Sequence, residues 1–477
     1  MSKSDFFVVI TIALAIVALF SEKNRKFHLM KFSLFNWIAS VIIFLIIHLL
    51  VWSEEWTCWR KTMFDIYWCP LPSTYAYVLF FALLIWFIWK IGFAEFPKNN
   101  HPKLLKEYMH LLGVKDINTL KNLLERYHLK KMIQFYEKCD VLKREKEKKM
   151  KEKTKKDIVE CKKELEKCKT SASQNEDELI SRKKELEIKM AALTMEDRWD
   201  PVIQNEYIQE LEKNRNSDPS FALSNELNEK IIKNRDFISG VVDIDSFFFC
   251  PFIKYYNEKN DEFVNSVLSV LIKKKEPHFF KEINLGSERP FLFGYPLNSD
   301  EFPILNSLFE NASIAVVNSV WYPMGEEALL ELKDEMQKDV SFLRYEKPDN
   351  DYSEYAMFSN TTIYVAINFF EIMESCCLLQ GIEEDDWILY YAFFTELLLK
   401  NMKIENLKNN DKIQAYFLIK KMVINLGGLN DLASMKNNEI HKRILKHCAT
   451  QMINKIEQSD RLTSIAKSEL IEGLELK

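Results

Sequence analysis

Glycine is scarce in this sequence, with ten in 477 residues. That scarcity argues against phosphate-cradling loops and tightly turned all-β folds, which depend on backbone conformations that glycine adopts most readily. Helix is the expectation. Cysteine is present nine times but in no useful pattern: there is no CxxC pair and no Cys/His spacing of a zinc site. A Walker loop, an HExxH pair and a Ser/His/Asp or Cys/His signature are also missing. No motif names a reaction, no cofactor is implied, and a non-enzymatic role is the first expectation.

What the sequence does contain is apolar length. Phe6 to Phe20 is broken only by Thr11, and eleven of its side chains are Leu, Ile, Val or Phe. At roughly −0.3 to −0.6 kcal/mol each, these favour insertion by about 3 to 6 kcal/mol. Fifteen residues rise only ~22 Å against a hydrocarbon core of ~30 Å, so the span is short. A cleaved signal peptide is the rival reading, but Lys23, Arg25, Lys26 and Lys31 crowd its far side. Ser33 to Trp52 and Ser73 to Ala94 each reach the ~20 residues of a spanning helix. Seven of the ten tryptophans precede residue 100, and Trp52, Trp56, Trp59, Trp68, Trp86 and Trp89 lie near the ends of these runs, as an interfacial belt requires. Residues 1–96 therefore read as a multi-pass anchor in a plasma membrane or bacterial inner membrane.

Orientation follows from the basic residues. Four lie between Ser21 and Lys31, a dense basic stretch follows the third run, and the loop between the second and third runs is mixed. This predicts the N-terminus outside and the C-terminal domain in the cytoplasm. Cys58 and Cys69 share the outside loop and are disulfide candidates, the alternative being two free thiols. His48, near the outer end of the second run, is a candidate proton relay or a solvated interfacial side chain.

The net charge of −5 conceals an asymmetry. Residues 1–196 hold 34 basic and 24 acidic side chains, a balance of +10, leaving 31 basic and 46 acidic, or −15. The positive half suits anionic lipid headgroups, and the negative half is repelled from membrane and nucleic acid alike. Residues 97–139 carry helical apolar spacing broken at Gly113, which predicts a small helical hairpin. Glu107 and His110 stand one turn apart there, a spacing used for metals when two such pairs meet, although only one is present.

Residues 140–196 form a highly charged helical arm, and Val141 to Met195 contain neither proline nor glycine. Ile158, Leu165, Ala172, Leu179, Leu186 and Leu193 recur every seven residues, while the positions between read Cys161, Cys168, Asn175, Arg182 and Lys189. This is half a coiled-coil seam. A continuous self-associating coil and an antiparallel hairpin turning in Thr170 to Asp177 both satisfy it. Lys143 to Lys156 is mostly basic, but glutamates thread it and no aromatics interleave. A solvated face or lipid contact is expected before nucleic acid.

Residues 197–477 read as a mainly helical cytoplasmic domain with a few strands. Phe237 to Phe249 is β-branched and aromatic and is the best strand candidate. Asp243 and Asp245, one residue apart, are weak catalytic candidates, because two carboxylates so spaced can hold a divalent cation for phosphoryl transfer. The stretch VVDIDSFF resembles the first metal motif of translesion DNA polymerases, and Ser299, Asp300 and Glu301 are loosely similar to their second acidic motif. The resemblance spans about twelve residues of the chain and implies metal-dependent phosphoryl transfer. No palm, fingers or basic DNA channel accompanies it.

A helical series then follows: Gly325 to Tyr345, Tyr355 to Gln380, Asp385 to Met402, Asp411 to Leu426, Asn438 to Glu457 and Thr463 to Leu474. Gly381 and the pair Gly427 and Gly428 are among its predicted boundaries. Glu383 to Asp386 precede the Trp387 helix as dipole compensation, with calcium as the alternative. Cys376, Cys377 and Cys448 read as core thiols, and His441 and His447 as surface histidines. The fold class is thus mainly α. The expected function is a membrane-anchored scaffold or sensor that self-associates and binds a cytoplasmic protein partner. A membrane-perturbing effector, whose layout is analogous to that of bacterial antiviral proteins, is the alternative, followed by a membrane-tethered phosphoryl-transfer enzyme.

Overall fold

The computed structural model describes residues 27–53, 72–92, 94, 96–170, 206, 209–210, 213, 219–255, 262–287, 301–337, 361–382, 386–401 and 414–475. It divides into two units. The first apolar run, the Cys58 and Cys69 loop and the predicted turn in 170–177 beyond Thr170 lie outside these residues, as do Glu383, Glu384 and Asp385.

The first unit is built on two apolar helices, α1 (Leu34–Ser53) and α2 (Pro72–Gly92). Their 20 and 21 residues each cover ~30 Å, the thickness of a hydrocarbon core. Trp37 meets Phe87 at 6.5 Å between centroids, and Lys31 Nζ donates to the Ile91 carbonyl at 2.7 Å. The start of α1 therefore lies beside the end of α2, and the two run antiparallel. Ile47, Val51, Ala76 and Phe80 form the dry seam between them, flanked by Ile43, Leu50, Leu79, Leu83 and Leu84.

Beyond α2 come α3 (His101–Gly113) and α4 (Ile117–Tyr127), the predicted helical hairpin. Asp116 caps α4 by accepting from Thr119 N at 3.4 Å. Lys115, at φ 58°, makes the turn between them, in place of the glycine two residues earlier. Leu104, Leu105, Tyr108, Leu111 and Leu112 bury against Ile117, Leu120, Leu123 and Leu124.

The next helix, α5 (Leu129–Thr170), is 42 residues long. A later segment, α6 (Pro219–Leu227), belongs to the first unit and continues into a π-helical turn, Asn228–Ile232.

Helices, joined by turns, make up the second unit among its described residues. In order come α7 (Arg235–Val242), α8 (Cys250–Tyr255), α9 (Phe263–Lys273), α10 (Pro277–Ser287), α11 (Pro303–Phe309), α12 (Ala312–Val317), α13 (Trp321–Gln337), α14 (Thr362–Gln380), α15 (Tyr390–Asn401), α16 (Gln414–Met435), α17 (Glu439–Gln458) and α18 (Ser464–Leu474). A 3-10 turn, Asp386–Leu389, leads into α15.

No strand occurs among the described residues, so the expectation of a few strands is corrected. The Phe237 to Phe249 candidate is instead α7 followed by turns. Asn234 caps α7 through Asp236 N and Phe237 N, and Phe237, Ile238, Val241 and Val242 fall on one buried face at helical spacing. The branched and aromatic side chains are those of a strand, but their period is that of a helix.

The hub is α14, which packs against α10, α12, α13 and α16. Thr361 caps its start through Tyr364 N, and Gly381 at φ 70° ends it, with Ile382 N returning to the Cys377 carbonyl at 3.0 Å. Every side chain from Thr362 to Leu378 is buried. A helix that buries its whole circumference is mostly apolar on all sides, and the polar groups it does carry must find partners inside.

The predicted stop at Gly427 and Gly428 is also corrected: α16 passes through both and ends at Met435. Leu426, Leu429, Asn430 and Ala433 continue its buried face, and that burial outweighs the roughly 1 kcal/mol each glycine costs a helix.

Among the described residues, three helices are long and apolar enough to cross a membrane: Leu34–Val51, Thr74–Ile91 and Thr362–Gln380, with mean hydropathies of 2.5, 1.8 and 1.5. Only 17% and 6% of the first two windows are buried, against 94% of the third. The first two match the second and third predicted spans. The third is α14, clad in other helices.

Candidate functional sites

Asp243 and Asp245 follow α7 in a turn, and both carboxylates are engaged. Asp243 Oδ2 lies 2.7 Å from Lys274 Nζ, and Asp245 Oδ1 accepts from Phe247 N at 3.0 Å. Glu301 is exposed, while Ser299 and Asp300 lie outside the described residues. No group of three or more His, Cys, Asp or Glu side chains gathers among the described residues at metal-binding range. Among the described residues, no further acidic side chain joins Asp243 and Asp245 in a metal-binding group. Glu107 is half-buried, and His110 and His48 are exposed.

Part of the predicted seam lies among the described residues. Ile158 is half-buried and Cys161 is buried on α5; Leu165 lies in that helix, its side chain outside the description, as are Ala172, Leu179, Leu186 and Leu193. Lys146 Nζ reaches Glu206 Oε2 at 3.0 Å and Glu210 Oε2 at 3.4 Å. Glu206 and Glu210 are helical and one turn apart, so the chain has come back onto α5 sixty residues later.

Two constellations that the sequence did not announce stand out. The first lies inside the helical domain. Glu371 and Glu374 are buried on α14, 7% and 0% exposed. His441, expected at the surface, is fully buried: its Nδ1 lies 2.5 Å from Glu374 Oε1 and its Nε2 2.6 Å from the Ile382 carbonyl. A carbonyl only accepts, so Nε2 carries a hydrogen. One further proton is then shared between Nδ1 and the carboxyl, which leaves the pair neutral as a unit. Burial holds the Glu374 carboxyl above the usual range, against the pull of His441 and the Trp387 indole.

Around this pair, Tyr391 O–H donates to the Ile367 carbonyl at 2.7 Å and accepts from Asn425 Nδ2 at 3.1 Å. Lys421 approaches Glu371 at 3.5 Å. The network ties α14 to α15, α16 and α17. Cys376 and Cys448 are buried beside it, and burial pushes both thiols up to about 12, which makes them poor nucleophiles.

Glu282 on α10 is a separate buried acid. It caps α11, accepting from Ile304 N at 3.0 Å and Leu305 N at 2.9 Å, where Phe302 supplies no side-chain cap. Burial lifts its pKa from the ordinary 4.5 to about 7. A raised carboxyl stabilises the fold fully below pH 4.5 and loses that contribution as pH rises through 7. Between pH 5 and pH 8 the domain should therefore lose about 2 to 3 kcal/mol through this group. Glu282→Gln should flatten that slope in thermal melts; an unchanged slope would assign the pH dependence elsewhere.

The second constellation closes one end of the α1/α2 hairpin. Asn100 Nδ2 donates to the Met30 and Phe32 carbonyls at 2.6 and 3.1 Å, and Phe27 stacks on Tyr108 at 5.4 Å. Phe32 meets Phe87 at 4.7 Å and Trp86 at 5.8 Å. His128 is buried, stacks on Phe96 and pairs through Nε2 with Tyr108 Oη at 3.0 Å. Burial, reinforced by Lys131, His101 and Lys31, lowers the His128 pKa to about 3, so the ring is neutral. Lys31 is 2% exposed and lies over the rings of Tyr127 and Phe96 at 4.7 and 5.7 Å. This knot fastens the entry of α1 and the exit of α2 to the α3/α4 hairpin.

The second unit also carries a groove of about 540 Å³ lined by α7, α9 and α13, with Tyr322 53% exposed and Arg235, Lys273, Glu262, Glu326 and Glu327 at its walls. No family model, no curated protein and no solved structure matches the chain.

Proposed function

We propose that this chain is a membrane-anchored scaffold or sensor whose helical domain faces the cytoplasm and engages a protein partner. The observation that carries it is the α1/α2 hairpin. Thirteen of the 20 side chains of α1 are Leu, Ile, Val or Phe, which at roughly −0.3 to −0.6 kcal/mol each favour insertion by about 4 to 8 kcal/mol. Its outer surface, including Leu34, Phe35, Ile38, Ile42, Leu49, Val78, Ile85 and Ile88, is bare of protein, as a lipid-facing surface must be.

Basic residues gather at one end of the hairpin, with Lys31 before α1 and Lys90, Lys98, Lys103 and Lys106 at and after the end of α2. Such a bias marks the cytoplasmic side. The mixed-charge groove around the exposed Tyr322 has the composition of a protein-binding surface, an aromatic within a polar rim. Self-association is proposed for the arm through Ile158 and the heptad positions that follow.

Ion leak stands as the second reading. Ser40 Oγ is satisfied within α1 by the Asn36 carbonyl at 2.7 Å, and the seam between α1 and α2 is apolar. A conducting path would therefore have to form between copies. Depolarisation of cells that requires residues 1–96 would favour it over the scaffold.

Topology is directly testable. Native Cys448 is too buried to label, so the reporter is Met435→Cys at a position 72% exposed. A membrane-impermeant maleimide should modify it only after the membrane is opened. Modification in intact cells would reverse the orientation, and release of the full chain by alkaline carbonate would remove the membrane reading altogether.

A further inference from the structure

We infer that the knot at the base of the hairpin holds a phosphate-binding site for an anionic phospholipid, formed by Lys90 and Arg126 with the buried Lys31 charge behind them. This rests on the membrane reading of α1 and α2. The geometry is unusual in placing two cations on one ring: Lys31 Nζ lies 4.7 Å from the Tyr127 centroid and the Arg126 guanidinium carbon 5.4 Å from it. Lys90, in the last turn of α2, is near enough to act electrostatically on Lys31.

Among the described residues, no carboxylate answers these three charges. Lys31 spends one N–H on the Ile91 carbonyl. Glu125, adjacent to Arg126 in sequence, is taken by Lys121 at 2.8 Å. Like charges gathered in a partly desolvated place repel one another. That repulsion is felt at Lys31, which burial, Arg126 and Lys90 together lower to about 8. A bound anion would relieve it.

The position selects the anion. The cluster sits where α1 begins and α2 ends, the level of the headgroup phosphates in a bilayer that the hairpin spans. Trp86 and Trp89 mark that same end of α2, as interfacial aromatics do. The exposed Arg126 offers a planar fork suited to phosphate oxygens, and half-buried Lys90 adds a point charge beside it. Zwitterionic lipid offers the same phosphate already neutralised by its own choline.

The test uses the full chain in detergent, with lipid retention read by native mass spectrometry. Phosphatidylglycerol should remain bound where phosphatidylcholine is lost, and Lys90→Gln and Arg126→Gln should each weaken retention by about fivefold. Neither substitution removes a core contact, and an unchanged circular dichroism spectrum confirms the fold. Equal retention by wild type and the double variant would overturn the site. So would stabilisation by millimolar inorganic phosphate equal to that by the lipid, which would assign the site to a soluble anion. Flotation with phosphatidylcholine and phosphatidylglycerol vesicles separates this from the parent reading. If the chain floats with neither, the membrane anchor itself fails; if it floats with both but retains both lipids equally, only the phosphate site does.

Discussion

Alanine at His441 should lower the thermal midpoint of the helical domain by about ten degrees, the equivalent of roughly 3 to 5 kcal/mol in a domain of this size. The substitution removes two ties of α17 at once, the bond to Glu374 and the bond to the Ile382 carbonyl. It strands a fully buried carboxyl that must then stay protonated or remain charged without a partner. The decisive measurement is a double-mutant cycle with Glu374→Ala. Removing both partners should cost less than the sum of the single losses, with coupling above about 1 kcal/mol. Strict additivity would show that the pair is merely adjacent.

The second large effect is expected at Gly325 on α13. A Cβ added there would meet Tyr390 Cε1 and Cζ at 2.4 Å, well inside any permitted contact. The ring has no easy retreat: it packs against Phe370 at 5.4 Å, Phe394 at 5.8 Å and Trp321 at 6.3 Å, and its hydroxyl donates to Glu326 Oε1 at 3.2 Å. Gly325→Ala should therefore destabilise by about 2 to 3 kcal/mol, as overpacking does. In a Tyr390→Ala background the sign should invert, because alanine is preferred to glycine in a helix by about 1 kcal/mol and the obstacle is gone. A loss of equal size in both backgrounds would exclude the steric account.

Much of the fold was legible because it is written in period and length. The runs 33–52 and 73–94 became Leu34–Ser53 and Pro72–Gly92, and the Thr463 to Leu474 helix was placed to within a residue. What failed did so for identifiable reasons. Phe237 to Phe249 was read from residue type, whereas the spacing of Phe237, Ile238, Val241 and Val242 and the Asn234 cap carried the helical signal. Gly427 and Gly428 were weighed by intrinsic propensity, which burial of the flanking leucines overrode.

The internal polar sites were less accessible. His441 and Glu374 are 67 residues apart, and nothing local marks either as the other's partner. An i, i+3 pair of acids inside an otherwise apolar stretch was the one available signal. The basic knot was half visible as a positive bias, but the shared Tyr127 ring depends on a tertiary contact that no spacing encodes.

Those two acids bear on how the protein is made. A chain synthesised at a membrane presents the insertion machinery with the Thr362–Gln380 segment, 19 residues with a mean hydropathy of 1.5, before α16, α17 and α18 exist to cover it. By length and composition it qualifies as a further span. Glu371 and Glu374 fall at its centre, where a charged side chain opposes insertion by about 2.5 to 3.5 kcal/mol. The carboxylates that find partners in Lys421 and His441 after folding would thus oppose insertion of this segment while the helices that cover it are still being made.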